Sequence, residues 1–218
     1  MSETYSYEVA QGHGLPHDPF KAIVAPRPIG WISTRDAEGR GNLAPYSFFN
    51  AISDTPPVLA FGSSGYKDSV RNAETTGAFV YNLATEALAD AMNGSSANFA
   101  SGEDELRAMG LTPAACRCVD VDRVAESPAA LECRVLDVIR LKDLRGDVTD
   151  SYVVFGQVVA VHLDMAFLRD GLFDTAAAGS IQRAGYMTDY AVVGPDSMRA
   201  LRRPGSPEEA IAKYRRRK

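Results

Sequence analysis

Two long β-rich runs joined by a polar turn constrain this chain more than any other feature. In residues 130–141, Leu131, Cys133, Val135 and Val138 are interspersed with Glu132, Arg134 and Asp137. The phase slips near Leu136, which predicts a bulge. Residues 151–163 are rich in valine and include Phe155, and the segment between, 142–150, is polar and centred on Gly146. Alternation has the period of a half-buried strand. The two runs therefore predict a long antiparallel hairpin. Shorter runs at 29–34, 42–48, 58–61 and 78–83 read as further strands, the first two forming a hairpin across the turn at 36–39. Six strands with few helices between them exclude a doubly wound parallel sheet, which needs regular helical crossovers. A mainly β, barrel-like or closed antiparallel sheet remains.

Helix signals are short and peripheral. Residues 68–75 read as a helix bounded by Gly77; 85–92, 103–109 and 208–215 are further candidates. Residues 20–24 suit a strand or a helical turn, 53–57 a loop, 165–172 a short helix and 190–193 a last strand. No element is assigned to 112–127. The chain divides into an N-terminal extension (1–17), one domain (18–194) and a basic tail (195–218), with eight basic residues between Arg199 and Lys218.

Composition narrows the function classes. The chain has 218 residues, 45% apolar and 23% charged, with a formal net charge of -5. That suits one soluble domain and argues against general nucleic-acid binding. No segment suggests a membrane span, and the polar start is unlike a secretory signal. A cytoplasmic protein is the expectation. Cys116, Cys118 and Cys133 read as structural thiols, and His13, His17 and His162 lack metal-ligand spacing. No metal is expected. A glycine-rich dinucleotide fingerprint, a phosphate-loop lysine motif and a nucleophile elbow are all missing.

The chemistry gathers in residues 26–72. Lys67-Asp68-Ser69 opens a short helix, where unpaired backbone donors and the dipole favour an anion. Lys67 and Ser69 are the direct candidates; Asp68 suits a cap or an orienting role. Ser47 and Asn50, at a strand end, suit the hydroxyls or ring edge of a ligand. Asn82 is an amide in an apolar run and needs a partner, either backbone or ligand. Trp31, Phe48, Phe49 and Tyr81 supply aromatic faces, with Trp31 counted among the candidate contacts. Arg27 lies between Pro26 and Pro28 and could hold an anion or an acidic neighbour. Arg183, before Ala184, Gly185 and Tyr186, is a second candidate near a ligand edge.

The run Pro26-Arg27-Pro28-Ile29-Gly30-Trp31 through Asn50, followed by Pro56-Pro57, Lys67-Asp68-Ser69 and Asn72, resembles the flavin reductase-like family. The resemblance implies a six-stranded antiparallel FMN-binding split barrel of Greek-key type with short peripheral helices. It also implies a homodimer with FMN near the interface, Ser47 and Asn50 beside the flavin, and Lys67 and Ser69 at its phosphate. NADH or NADPH is the implied electron donor, and a separate monooxygenase is one implied acceptor. On that account hydride passes from nicotinamide C4 to flavin N5. Backbone donors near Ala44, or Arg27 or Arg183, would stabilise charge on the flavin. His162, at a strand end, would position nicotinamide or substrate. Two other readings stay open: an FMN-binding protein without efficient nicotinamide turnover, and a flavin oxidoreductase acting on another small substrate.

Overall fold

The structure, a computed structural model, describes residues 3–215. Residues 216–218, the end of the expected basic tail, and Met1 and Ser2 lie outside the described residues. The centre is a seven-stranded antiparallel sheet. Its strands are β1 (Gly30–Arg35), β2 (Gly41–Tyr46), β3 (Phe49–Asp54), β4 (Pro57–Ser64), β5 (Ala78–Leu83), β6 (Ala129–Lys142) and β7 (Val148–Leu163). They run in the order β2-β1-β5-β6-β7-β4-β3. The two edges, β2 and β3, are consecutive in the chain and joined only by Ser47 and Phe48, but no ladder joins them.

The expected six-stranded barrel is thus corrected to seven strands in an unclosed sheet. The added strand is β3. Only Phe49 among its residues is even half-buried, and the other five are exposed. An edge strand with so little burial carries no alternating apolar signal, so its sequence reads as a loop.

The long hairpin forms as its pattern requires. Val135 pairs with Gly156 and Asp137 with Phe155, which leaves Leu136 as the extra residue of a bulge. That is where the alternation slips. A second irregularity leaves Val159 over on β7. Gly156 faces Phe79 so closely that a Cβ would overlap the ring. Overpacking of that kind costs roughly 1–3 kcal/mol.

Three helices matter for the site: α1 (Asp68–Thr76), α2 (Ala89–Gly94) and α3 (Glu105–Ala108). Helix α1 ends where Gly77 turns left-handed, with φ 71°, and its N–H donates to the Ala73 carbonyl. Such a position suits glycine because it has no Cβ. One core lies between α1 and the sheet and contains Ile32, Phe61, Val70, Phe79 and Val154. A second lies on the other face of β1 and contains Trp31, Leu43, Met92, Leu106 and Val124. Strand β1 is therefore buried on both faces, its polar Ser33 and Thr34 included. Residues 112–127, unassigned from sequence, form a small ladder between Pro113–Ala114 and Arg123–Val124. Among the described residues no helix is long and apolar enough to cross a membrane.

Candidate functional site

A cleft of two compartments opens beside the end of β2. The larger, about 970 Å³, is lined by Ile29, Pro45, Ser47, Arg27 and Arg183, by residues of the 186–190 segment, and by Pro16, His17, Asp18 and Lys21 from the start of the chain. The smaller, about 400 Å³, is lined by Asn42, Ala44, Tyr46, Lys67, Asp68, Ser69, Glu105 and the loop 95–101. Pro45 and Ser96 line both, so the compartments adjoin.

The floor of the smaller compartment is a hydrogen-bonded frame. Asn42 donates from Nδ2 to Thr34 Oγ1 at 3.2 Å and to Ser69 Oγ at 2.9 Å. Asn72 donates to the same Thr34 oxygen at 3.2 Å. Ser69 is thus an acceptor toward Asn42, which leaves its own hydrogen available to another group. The first-turn amides of α1 have no carbonyl one turn back. Lys67, in extended conformation, precedes them without a side-chain cap.

Two carboxylates also border this compartment, and both are engaged. Asp68 pairs with Arg71 at 2.8 Å and accepts from Ser101 at 3.0 Å. Glu105 accepts from the Leu43 amide at 2.8 Å. Burial pushes the Glu105 carboxyl above its usual range, against the lowering effect of that hydrogen bond. The Tyr46 hydroxyl is different: it is buried and makes no hydrogen bond of good geometry, although the Ser69 and Ser63 hydroxyls lie close enough to lower its pKa against burial. Burial raises the Tyr46 phenol, so it stays a donor near neutral pH. An orphaned buried hydroxyl is costly unless a ligand meets it. Together the helix start, Lys67, Ser69 and Tyr46 offer a donor set that fits a phosphate monoester such as that of FMN.

The sequence candidates therefore separate. Arg27, Ser47 and Arg183 meet in the larger compartment; Ala44, Lys67 and Ser69 meet in the smaller. Asn50 lies in a third hollow with Phe48 and Ile52, which Arg27 and Ser47 also line, and its Oδ1 accepts from the Ala51 amide at 2.9 Å. Trp31 has no exposed ring face. It is fully buried, and its Nε1 donates to Ser95 Oγ at 2.9 Å, which props the loop over the cleft. Its candidacy as a flavin contact is corrected on that ground. Asn82 is corrected likewise. It is fully buried, donates to the Trp31 carbonyl and Ser33 Oγ at 3.2 Å each, and accepts from the Val124 amide at 2.8 Å. Its amide is spent on the fold.

His162 is also elsewhere. Its Nε2 meets Glu132 Oε1 at 2.6 Å, and it lines a separate hollow of about 420 Å³. Glu132 is fully buried and accepts from the amides of Arg117, Cys118 and Val119 at 2.7, 2.6 and 3.1 Å. Burial alone would raise its carboxyl, but these amides and His162 outweigh that and hold it below its usual range. Cys116 joins the cluster: its sulfur, a Glu132 oxygen and a His162 nitrogen lie within 4.8 Å of one another. Burial, then the Glu132 charge, pushes the Cys116 thiol up to about 12. The Glu132 carboxylate at the centre of this cluster is already met by three amides and His162. The linear spacing of these three residues gave no sign that they meet. Tyr46, Glu105 and the 95–101 loop were also missed, since a loop's folded position has no periodic signature.

The profile of the Flavin reductase like domain matches residues 24–176. An uncharacterized protein of Deinococcus radiodurans is 36% identical over 202 residues, spanning 87% of this chain and 86% of its own length. Among solved structures, nitrilotriacetate monooxygenase component B from Bacillus cereus superposes with a TM-score of 0.82 at 26% identity. That match covers 92% of this chain and all of the other (100%). The 2-nitrobenzoate 2-nitroreductase NbaA of Pseudomonas fluorescens superposes with a TM-score of 0.75 at 25% identity, over 86% of this chain and 90% of its own.

Proposed function

The chain belongs to the flavin reductase-like domain family, and from that premise we propose that it is an FMN-dependent oxidoreductase that takes hydride from NADH or NADPH. The observation that carries this reading is the cleft itself. A phosphate-sized donor set with an unpartnered Tyr46 hydroxyl adjoins a compartment large enough for rings and a second reactant. Lys67 and Ser69 hold the phosphate end, with the α1 amides and Tyr46 donating to it. Pro45, Ser47 and the backbone near Ala44 form the wall that passes from one compartment to the other. When bound there, FMN supplies hydride acceptance at N5 from a nicotinamide C4. The protein's part is to orient the reactants, keep one face accessible and exclude excess water. No side-chain nucleophile is required. His162 is given a scaffold role because its Nε2 is already held by Glu132.

A second reading, reduction of another small substrate at the same cleft, is favoured by the size of the larger compartment and by the likeness to a nitroreductase. Likeness to a monooxygenase component supports a separate monooxygenase as one electron acceptor. A homodimer is part of the proposal; exposed Phe48 and Ile52 beside the third hollow supply an apolar face for it.

Titration of FMN fluorescence, followed by desalting, tests the cofactor assignment. The reading expects stoichiometric retained FMN that is lost in a Lys67→Ala, Ser69→Ala double variant. Equal retention by that variant would move the phosphate elsewhere.

A further inference from the structure

Arg27 and Arg183 stand directly opposite one another on a short antiparallel ladder between Arg27–Pro28 and Ile181–Arg183. Opposed residues on antiparallel strands share a face, and like charges placed so repel. Here the repulsion is left standing. Among the described residues neither guanidinium makes an ion pair. Asp18 lines the same compartment and accepts from the Phe20 amide at 2.9 Å, and it forms no ion pair with either arginine. Lys21 adds a third cation to the lining.

The arrangement is also held in place. Arg27 is 7% exposed, its Nη1 donates to the carbonyls of Lys21 and Val24, and its Nε is buried without a partner. Burial, then the charge of Arg183, lowers the Arg27 pKa. The Arg183 guanidinium lies 4.7 Å over the Tyr190 ring. A buried arginine held opposite a half-buried one at the wall of a cavity is a standing site for an anion. The hydroxyls and helix start of the smaller compartment suit a tetrahedral phosphate. Two planar guanidinium groups beside Tyr186, Tyr190 and Ile29 suit a flat anion with an apolar body.

We propose that Arg27 and Arg183 together bind the carboxylate of a small planar acid, held in the larger compartment beside the cofactor. This deepens the second reading above and rests on the flavin assignment only for where the cofactor lies.

The test uses the full chain with and without FMN. Benzoate, benzamide, inorganic phosphate and adenosine 2′,5′-bisphosphate are titrated by calorimetry, and in the FMN-loaded protein also by perturbation of the visible flavin band. Benzoate is expected to bind at least about tenfold more tightly than its neutral isostere benzamide, since a charged partner is lost. Arg183→Gln should weaken benzoate by about tenfold while leaving the FMN dissociation constant within about twofold. Arg183→Lys, which keeps the charge but not the fork, should recover part of the benzoate affinity. Equal binding of benzoate and benzamide overturns the proposal, as does tighter binding of either phosphate probe to the pair. Parallel loss of FMN and benzoate in Arg183→Gln would assign the arginines to the cofactor instead. If FMN fails to bind at all, the flavin reading falls, and calorimetry on the FMN-free protein still decides the arginine pair.

Discussion

Glu132 and Tyr46 are both buried polar side chains on the seven-stranded sheet, yet Glu132 is met by three amides and His162 while the Tyr46 hydroxyl, with Ser63 and Ser69 beside it, makes no hydrogen bond of good geometry. The Glu132 cluster gathers three consecutive backbone amides and His162 onto one carboxylate, and so pins the 112–127 segment to β6 and β7. The cluster around Asn42, Ser69 and Tyr46 is satisfied underneath and unfinished on top, where it borders the cleft. Burial with full satisfaction marks a device of the fold. Burial with donors left over, at the wall of a cavity, marks a place for a ligand.

The largest expected effect falls on the closed cluster. Glu132→Ala leaves three amides and an imidazole without their acceptor and should cost roughly 3–5 kcal/mol in urea unfolding, the scale for removing one partner of a buried charged network. Protein that remains folded should bind FMN as before. Because the folded-state pKa of Glu132 is depressed, its contribution is present above the unfolded-state pKa and is lost as pH falls through the folded one. The wild type should therefore lose stability in acid more steeply than Glu132→Gln. Equal acid profiles would show that the carboxylate is not what the amides need.

Asn82→Ala should come next, at roughly 1–3 kcal/mol, since the Val124 amide loses its buried acceptor. FMN affinity should hold within about twofold; a large loss would return Asn82 to the cofactor site. Lys67→Ala should invert the pattern. FMN binding should weaken by about tenfold, or about 1.4 kcal/mol, while stability without FMN changes by less than about 0.5 kcal/mol, as for an ordinary surface position. The smallest change is the sharpest. Tyr46→Phe removes an orphaned hydroxyl, so the FMN-free protein should be as stable as before or up to about 1 kcal/mol more stable. FMN binding should nonetheless weaken by a few-fold. A loss of stability without FMN would mean that Tyr46 has a protein partner after all, and the contrast between the two clusters would fail.

The sheet was legible where burial is one-sided or complete. Alternation in 130–141 and the valine-rich run at 151–163 revealed the hairpin, and a one-residue slip at Leu136 located its bulge. Strand β3 was hidden because nothing in Phe49–Asp54 is packed deeply enough to demand an apolar pattern. At the site, residues local to one turn were readable: Lys67 and Ser69 announce a helix start. Asn82 and Trp31 were misassigned because their partners, Val124 and Ser95, lie far along the chain. The meeting of Arg27 with Arg183 rests on a ladder formed by two very short strands, too short to leave a periodic trace.

The most direct test of the account is an anaerobic visible spectrum of the FMN-loaded protein before and after stoichiometric NADH or NADPH. The account predicts a retained flavin band that bleaches with one of the two nucleotides, in the wild type and equally in folded His162→Ala. A retained band that neither nucleotide bleaches would contradict nicotinamide-dependent reduction, and a protein that retains no FMN would contradict the site itself.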